Sequence, residues 1–184
     1  MNPILHLLLA HFISDYPLQS GSLVKMKVRS ILGVFLHCLI NLLVLVAVLF
    51  PFLHIQKVWI VIAVIFATHF IIDETKIILD KKYPGRKLMH YFIDQIIHVA
   101  IIAYLSFYFI QLPAGAPVGL MSLYYDKVFV SYILILVLVT YFYDITRHFV
   151  LTRKTPAPYK RDYKMMIRNV FIVSIAFAIY WIAY

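Results

Sequence analysis

Residues 31–53 read ILGVFLHCLINLLVLVAVLFPFL, an apolar run that contains no Lys, Arg, Asp or Glu. About 20 apolar residues in a helix cross the hydrocarbon core of a bilayer, so this run predicts a transmembrane helix. A shorter apolar run precedes it, and similar runs follow at 58–79, 89–111, 128–151 and 167–184. The sequence therefore predicts an all-α membrane bundle of about six transmembrane helices, with residues 1–184 forming a single domain.

The composition excludes several other classes of protein. The chain of 184 residues is 64% apolar and 14% charged, whereas a soluble domain is about half apolar and about a quarter charged. An ordinary soluble domain and a disordered tail are both excluded. The single cysteine, Cys38, allows no internal disulfide.

The first apolar run is too short for a full crossing. Pro17 predicts that its helix ends near Tyr16, because proline disrupts a helix that reaches it. About 14 residues then remain, or about 21 Å, against a hydrocarbon core of about 30 Å. We expect a tilted or half-spanning first helix.

The cations describe the topology of the chain. Of the 17 Lys and Arg residues, all but Lys57 and Lys127 fit one face if the connections 20–30, 80–88 and 152–166 lie together. The positive-inside rule places such a face in the cytoplasm. The net charge of +9 is thereby explained without nucleic acid, which we do not expect as a partner.

Histidine and aspartate recur four residues apart inside the apolar runs. Chance gives roughly 0.6 such pairs in a chain of this composition. The sequence has five: His11–Asp15, His69–Asp73, His90–Asp94, Asp94–His98 and Asp144–His148. The segments HFISD at 11–15 and HFIID at 69–73 are near copies, and YDITRHF at 143–149 is a looser echo. We interpret these segments as a parallel repeat of helical hairpins.

Most of these residues fall in one layer, about 8–16 Å below the cytoplasmic surface at 1.5 Å per residue. Ionisable groups at such depth are costly, so they should face one another, water or a metal. Neutral imidazoles and carboxylates suit zinc, and also manganese or iron. We predict one or two divalent ions, zinc above the others, with ligands drawn from His11, Asp15, His37, His69, Asp73, Asp94 and His98.

Other polar residues support weaker hypotheses. Asn41, one turn from His37, would add an amide oxygen or orient a ligand. Asp144 and His148 share the spacing of the other pairs, but Arg147 is an adjacent ion-pair partner for Asp144. His90, at the membrane edge, is expected to be solvated or in contact with headgroups. A lipid phosphate would bind to the basic loop that holds Arg153, Lys154, Lys160 and Arg161, although topology alone also explains these cations.

The motifs HFISDYPLQ at 11–19, HFIIDETK at 69–76 and DQIIH at 94–98, together with His37, resemble those of a family of small bacterial and phage membrane proteins. This family is known as domain of unknown function 3307, and the resemblance covers residues 3–110. It implies a bacterial inner membrane protein and adds Gln19, Lys76 and Gln95 to the residues of interest. It implies no activity. A looser analogy of site, without sequence similarity, links the chain to membrane-embedded metal hydrolases.

These observations predict a metal-dependent hydrolase that acts on a lipid or lipid-linked substrate. Its candidate catalytic carboxylates are Asp15 and Asp94. Membrane lipids are the expected partners, and an oligomer is left open. A metal-ion or proton transporter or channel that uses the same layer is the first alternative. A membrane redox protein with haem or non-haem iron is the second, and a purely structural polar core is the third.

Overall fold

The computed structural model describes residues 1–113, 119, 121–152 and 159–183, and all of its regular structure within these residues is helical. The chain divides into two compact units, Met1–Ala114 and Gly115–Tyr184. The predicted all-α class is confirmed. The interpretation as one domain stays a prediction.

The first unit contains five α-helices. They are α1 (Ile4–Asp15), α2 (Gly21–Arg29), α3 (Ile31–Val48), α4 (Gln56–Lys82) and α5 (Lys87–Tyr104). A π-helical turn at Leu105–Phe109 extends α5. The backbones of Met1 and Leu112 hydrogen bond in both directions, so the start of the unit is joined to the segment after α5.

Five helical spans among the described residues are long and apolar enough to cross a membrane. They are Ile31–Val48, Gln56–Lys82, Pro84–Phe109, Lys127–Leu151 and Tyr163–Ala183. Helix α1 has only 12 residues and ends at Asp15, before Pro17. The expectation of a short first helix is therefore confirmed.

The basic connection 20–30 is a helix rather than a loop. Ser20 caps α2, and Ser30 accepts a hydrogen bond from the backbone N–H of Gly33 at the start of α3. A Cβ atom on Gly33 would lie 2.3 Å from the backbone carbon of Met26. Glycine at this position therefore lets α2 pack directly against α3.

The second unit contains α6 (Met121–Tyr125), α7 (Lys127–Val137), α8 (Tyr143–Leu151) and α9 (Tyr163–Ala183). A π-helical turn at Leu138–Phe142 joins α7 to α8 in one span. Tyr132 of α7 stacks on Phe177 of α9 with ring centroids 4.1 Å apart. The side-chain amide of Asn169 on α9 donates to the backbone carbonyl of Val139. These contacts hold α9 against the span.

An apolar layer closes the core of the first unit on one side of its polar residues. Its members are Leu7, Leu45, Ile65 and Ile102, which are all at most 4% exposed. Each lies four residues from a polar side chain of the core, respectively His11, Asn41, His69 and His98. Four residues are about one helical turn, so the polar core and the apolar layer are successive levels of the same bundle.

Candidate metal centre

Four helices of the first unit each contribute one buried imidazole. The rings of His11 on α1, His37 on α3, His69 on α4 and His98 on α5 are at most 4% exposed. Their centroids are 4.4 Å apart for His69 and His98, and 5.1 Å apart for His37 and His69. With the buried carboxylates of Asp15, Asp73 and Asp94, these rings form what we call the His/Asp cluster.

Four ligand atoms of this cluster, which we call the tetrahedral set, are joined by five distances close to those of a tetrahedral metal site. His37 Nε2 lies 3.0 Å from His69 Nε2, and Asp15 Oδ1 lies 3.3 and 3.4 Å from these two nitrogens. Asp73 Oδ2 lies 3.5 and 3.7 Å from the same nitrogens. Zinc bonds of about 2.0–2.2 Å in a tetrahedron place ligand atoms about 3.3–3.6 Å apart. These five distances are close to that range, so each carboxylate is placed to share an ion with the two imidazoles.

Several ligand atoms of the cluster have no hydrogen-bond partner among the described residues. Polar atoms buried in this way are costly unless they bind something. The unpartnered atoms in the cluster are both imidazole nitrogens of His11, Asp15 Oδ1, His69 Nδ1, Asp94 Oδ1 and His98 Nε2. A cation would satisfy the carboxylate oxygens and the unprotonated imidazole nitrogens of this set, while each neutral imidazole keeps one N–H.

The tautomer of His98 leaves a nitrogen free for a metal. Its Nδ1 lies 2.9 Å from the backbone carbonyl of Asp94, one turn earlier in α5. Since a carbonyl only accepts, Nδ1 carries the proton and Nε2 is a lone-pair donor. Ligand atoms of His98, Asp94 and Asp73 lie within 4.8 Å of one another, so the cluster extends beyond the tetrahedral set.

Lys27 is a further member of the site. Its position in a basic segment predicts only a role in membrane topology. Lys27 reaches from α2 to Asp73, with 2.7 Å between Nζ and Oδ2, and its side chain is 12% exposed. Burial opposes its charge, but the Asp73 carboxylate, with Asp15 and Asp94 behind it, outweighs this cost and raises the pKa of Lys27. Lys27 is therefore a fixed positive charge beside the cluster.

The charge of the cluster leaves room for one divalent cation. Ionised, its three carboxylates carry three negative charges, and Lys27 offsets one of them. A divalent ion neutralises the remaining two, which favours its binding in a low-dielectric interior. Charge, ligand chemistry and spacing thus agree.

Amide side chains surround the ligands. Gln19 Nε2 lies 3.2 Å from His37 Nδ1, and Gln95 Nε2 donates to Asp94 Oδ2 at 3.0 Å and to Asp15 Oδ2 at 3.3 Å. Asn41 donates to Ser14, 2.7 Å away, and not to a ligand. Gln19 and Gln95, which the family resemblance pointed to, are thus positioned to orient ligands of the cluster.

The surroundings of His90 differ from the expectation. His90 is only 5% exposed, and its Nδ1 lies 2.8 Å from Asp80 Oδ1. The expectation that it is solvated is wrong, because the carboxylate of Asp80 on α4 satisfies the ring inside the protein. Lys76 pairs with the second oxygen of Asp80 at 3.2 Å and does not contact a cluster ligand.

The remaining candidates belong to the second unit. Asp144 is buried and accepts a hydrogen bond of 2.6 Å from the hydroxyl of Tyr159, while Arg147 pairs with Asp162 rather than with Asp144. The ring of His148 lies against that of Tyr159, with centroids 5.2 Å apart. Every close group of three metal-ligating side chains among the described residues lies in the first unit.

The basic loop is described only in part. Arg153 and Lys154 lie outside the described residues. Lys160 is exposed, and the guanidinium of Arg161 lies 5.1 Å from the ring centroid of Tyr141. Headgroup binding by this loop stays a prediction.

The fold and the site define a class: all-α proteins of membrane-spanning length that bury a cluster of histidines and aspartates in their interior. Residues 4–123 match the model of a family described as Protein of unknown function (DUF3307), and the chain belongs to this family. The match contains every residue of the His/Asp cluster and ends before α7. No curated protein and no solved structure gave a significant match.

Proposed function

We propose that this protein is a membrane-embedded, metal-dependent hydrolase that acts on a lipid or lipid-linked substrate. The observation that carries the proposal is the pair of imidazole nitrogens of His37 and His69, 3.0 Å apart, with one carboxylate oxygen of Asp15 and one of Asp73 within 3.3–3.7 Å of both. Two imidazoles and two carboxylates favour zinc, with manganese or iron as weaker alternatives.

The basic connections support an orientation for this hydrolase. Helix α2 and the connection 80–88, which includes the ends of α4 and α5, carry most of the cations of the first unit. By the positive-inside rule they lie in the cytoplasm of the bacterium, with the protein in its inner membrane. The cluster then lies below the cytoplasmic surface, at a depth that lipid ester and phosphate groups reach more readily than soluble substrates.

Asp94 is the carboxylate best suited to act as general base. It is buried, it is the cluster carboxylate that also lines a groove between α4 and α5, and its Oδ1 has no partner among the described residues. Asp15, by contrast, places Oδ1 beside two imidazoles as a ligand. We therefore assign ligation to Asp15 and proton transfer to Asp94.

Hydrolysis by this arrangement needs an activated water, a polarised substrate oxygen and a group that accepts and returns a proton. A divalent ion held in the cluster would supply a water of lowered pKa and polarise the substrate oxygen. Asp94 would accept a proton from the attacking water as the water oxygen bonds to the carbonyl carbon or phosphorus. The bond to the leaving oxygen then breaks, and Asp94 returns the proton to it. Lys27 keeps Asp73 ionised and in place.

The apolar layer argues against the transporter alternative. A transported ion would need polar groups beyond the cluster, but the next level of the bundle is Leu7, Leu45, Ile65 and Ile102, all almost fully buried. Apolar side chains at this level disfavour the passage of an ion beyond the cluster.

The test combines metal analysis with substrate turnover. We expect protein purified without chelator to contain at least one zinc, manganese or iron ion per chain, and to hydrolyse a component of a bacterial lipid extract monitored by mass spectrometry. Asp94→Asn should keep the metal and lower the rate by about 10²–10⁴-fold, the usual contribution of a general base. Asp162→Asn, which changes an exposed carboxylate outside the cluster, is the control.

Two results would contradict the proposal. One is wild-type protein without bound metal. The other is Asp94→Asn protein that turns over lipid at the wild-type rate. Metal flux into liposomes that is lost in Asp94→Asn would support the transporter instead.

A further inference from the structure

A groove runs between α4 and α5 on the surface of the first unit. Its volume is about 130 Å³. Ile71, Ile72 and Leu79 of α4 and Ile93 and Ile97 of α5 form its apolar walls. Ile71 is 61% exposed and Ile97 is 40% exposed, so the walls are open to the surroundings of the helices. Both helices are of membrane-spanning length, and those surroundings are then lipid.

The polar residues of the groove are not spread evenly. Lys76 and His90 share the carboxylate of Asp80. Both lie toward the connection 80–88 between the two helices, which we call the basic turn. Ile71 and Ile97 are the lining residues furthest along each helix from that turn. The groove thus has a cationic end at the membrane surface and an apolar end within the membrane, which is the polarity of a lipid molecule.

Asp94 connects this groove to the metal centre. It lines the groove, and its carboxylate also lies within 4.8 Å of ligand atoms of Asp73 and His98. A chain lying in the groove would therefore place the bond next to its polar end beside the proposed general base. The exposed cations of the basic turn would attract an anionic headgroup to the same end; they are Lys81, Lys82, Arg86 and Lys87.

We propose that the α4–α5 groove is the substrate site and that it takes an anionic phospholipid from the side, through the bilayer. One acyl chain lies along Ile71 and Ile97, and the phosphate pairs with Lys76. This inference deepens the proposed hydrolase by naming its substrate class, and it rests on that function only for the fate of the bound lipid. Binding itself is testable without turnover.

The experiment measures retained lipid by native mass spectrometry. Protein in mild detergent is incubated with equal amounts of phosphatidylglycerol and phosphatidylcholine that carry the same acyl chains. We expect the wild type to retain phosphatidylglycerol over phosphatidylcholine. Ile97→Trp, and independently Ile71→Trp on the opposite wall, should fill the groove and lower retained lipid at least fivefold. Ile96→Trp is the matched control, because Ile96 is 65% exposed on α5 but does not line the groove.

Headgroup recognition is tested by Lys76→Gln. This variant should still retain lipid but lose the preference for phosphatidylglycerol, since the glutamine keeps most of the side-chain volume without the charge. An unchanged preference would overturn the assignment of Lys76. Retained lipid equal to wild type in both Ile97→Trp and Ile71→Trp would overturn the groove as the site.

Metal content, measured on the same samples, separates this inference from the proposed function. Wild-type protein that lacks metal but loses lipid in the groove variants would refute the hydrolase and support the groove. Protein that holds metal but retains lipid equally in all variants would support the metal site of the hydrolase and refute the groove. A fall from dimer mass to monomer mass in Ile97→Trp, with retained lipid unchanged, would identify the groove as a contact between two copies of the chain and overturn lipid binding.

Discussion

Among the helices that carry a histidine and an aspartate four residues apart, α4 and α8 use the same spacing differently. On α4, His69 and Asp73 face imidazoles and carboxylates from α1, α3 and α5. On α8, Asp144 accepts a hydrogen bond from the Tyr159 hydroxyl. Spacing places both side chains of each pair on one helix face.

The difference between the pairs lies in what the neighbouring helices present. Imidazole nitrogens that have no hydrogen-bond partner among the described residues surround the α4 pair. A phenol that donates a single hydrogen bond faces Asp144, and such a bond satisfies a carboxylate oxygen without a metal. A pair at helical spacing is therefore half of a site, and the partner elements decide whether it binds an ion.

The largest expected effect is on metal binding when the α4 pair is changed. One ligand atom of the tetrahedral set is removed in each of the variants His69→Ala and Asp73→Ala. Loss of an outer partner alone weakens a metal by about 10–100-fold, so loss of a ligand should exceed that range. We expect metal in the purified variants to fall below a tenth of the wild-type content, measured by inductively coupled plasma mass spectrometry.

The matched controls for that experiment are Asp144→Ala and His148→Ala. They remove the same residue types from the same spacing on α8, and we expect the wild-type metal content. If metal were lost equally in all four variants, the contrast between the two pairs would be wrong. If His69→Ala kept its metal, the tetrahedral set would be wrong.

The next effect concerns Lys27, which distinguishes the α4 pair further because it neutralises Asp73. Lys27→Met leaves Asp73 as an uncompensated buried charge, and removal of one partner of a buried ion pair costs about 3–5 kcal/mol. We expect a lower thermal midpoint in the presence of a chelator. Added zinc should raise this midpoint, since the ion neutralises carboxylates of the cluster that Lys27 no longer offsets.

Unfolding can be followed by the fluorescence of Trp59 and Trp181 in detergent. Lys25→Met removes an exposed cation from the same helix. We expect this variant to have the wild-type midpoint both in the presence and in the absence of zinc. A Lys27→Met midpoint that zinc does not raise would show that Lys27 and the ion do not share Asp73.

A smaller loss should follow Gly33→Ala, which tests how α2 is held. The added methyl group would lie 2.3 Å from the backbone of Met26, so α2 must move away from α3 and carry Lys27 with it. Crowding of this kind costs about 1–3 kcal/mol. Gly21→Ala is the control, because nothing lies within 4 Å of a Cβ atom at Gly21. Equal midpoints for the two variants would contradict the close packing of α2 on α3.

The sequence predicts a large part of this structure because few physical signals are involved. Apolar length defines the spans, and Pro17 defines the end of α1. Spacing of four residues pairs His11 with Asp15 and His69 with Asp73 on their own helix faces. A charged group inside an apolar helix must find partners, which is why the depth of these residues already indicates that they meet.

The sequence does not predict the residues whose role depends on long-range contacts. Lys27 lies among other cations in a basic segment, and only the packing of α2 against α3 turns it toward Asp73. His90 has Asp94 four residues away, but it pairs with Asp80 from the preceding helix. In both cases a partner on another helix competes with the local pattern, and no spacing within one helix reveals that partner.

The smallest effect is expected from Tyr159→Phe in the second unit. The variant removes the phenol that donates to Asp144, and one hydrogen bond contributes about 1 kcal/mol. We expect faster amide hydrogen exchange in α8, unchanged exchange in α4 and unchanged metal content. Tyr163→Phe, at a tyrosine that is 64% exposed, is the control. Loss of metal in Tyr159→Phe alone would contradict the contrast between the two pairs, because a change at the α8 pair should not affect metal bound at the α4 pair.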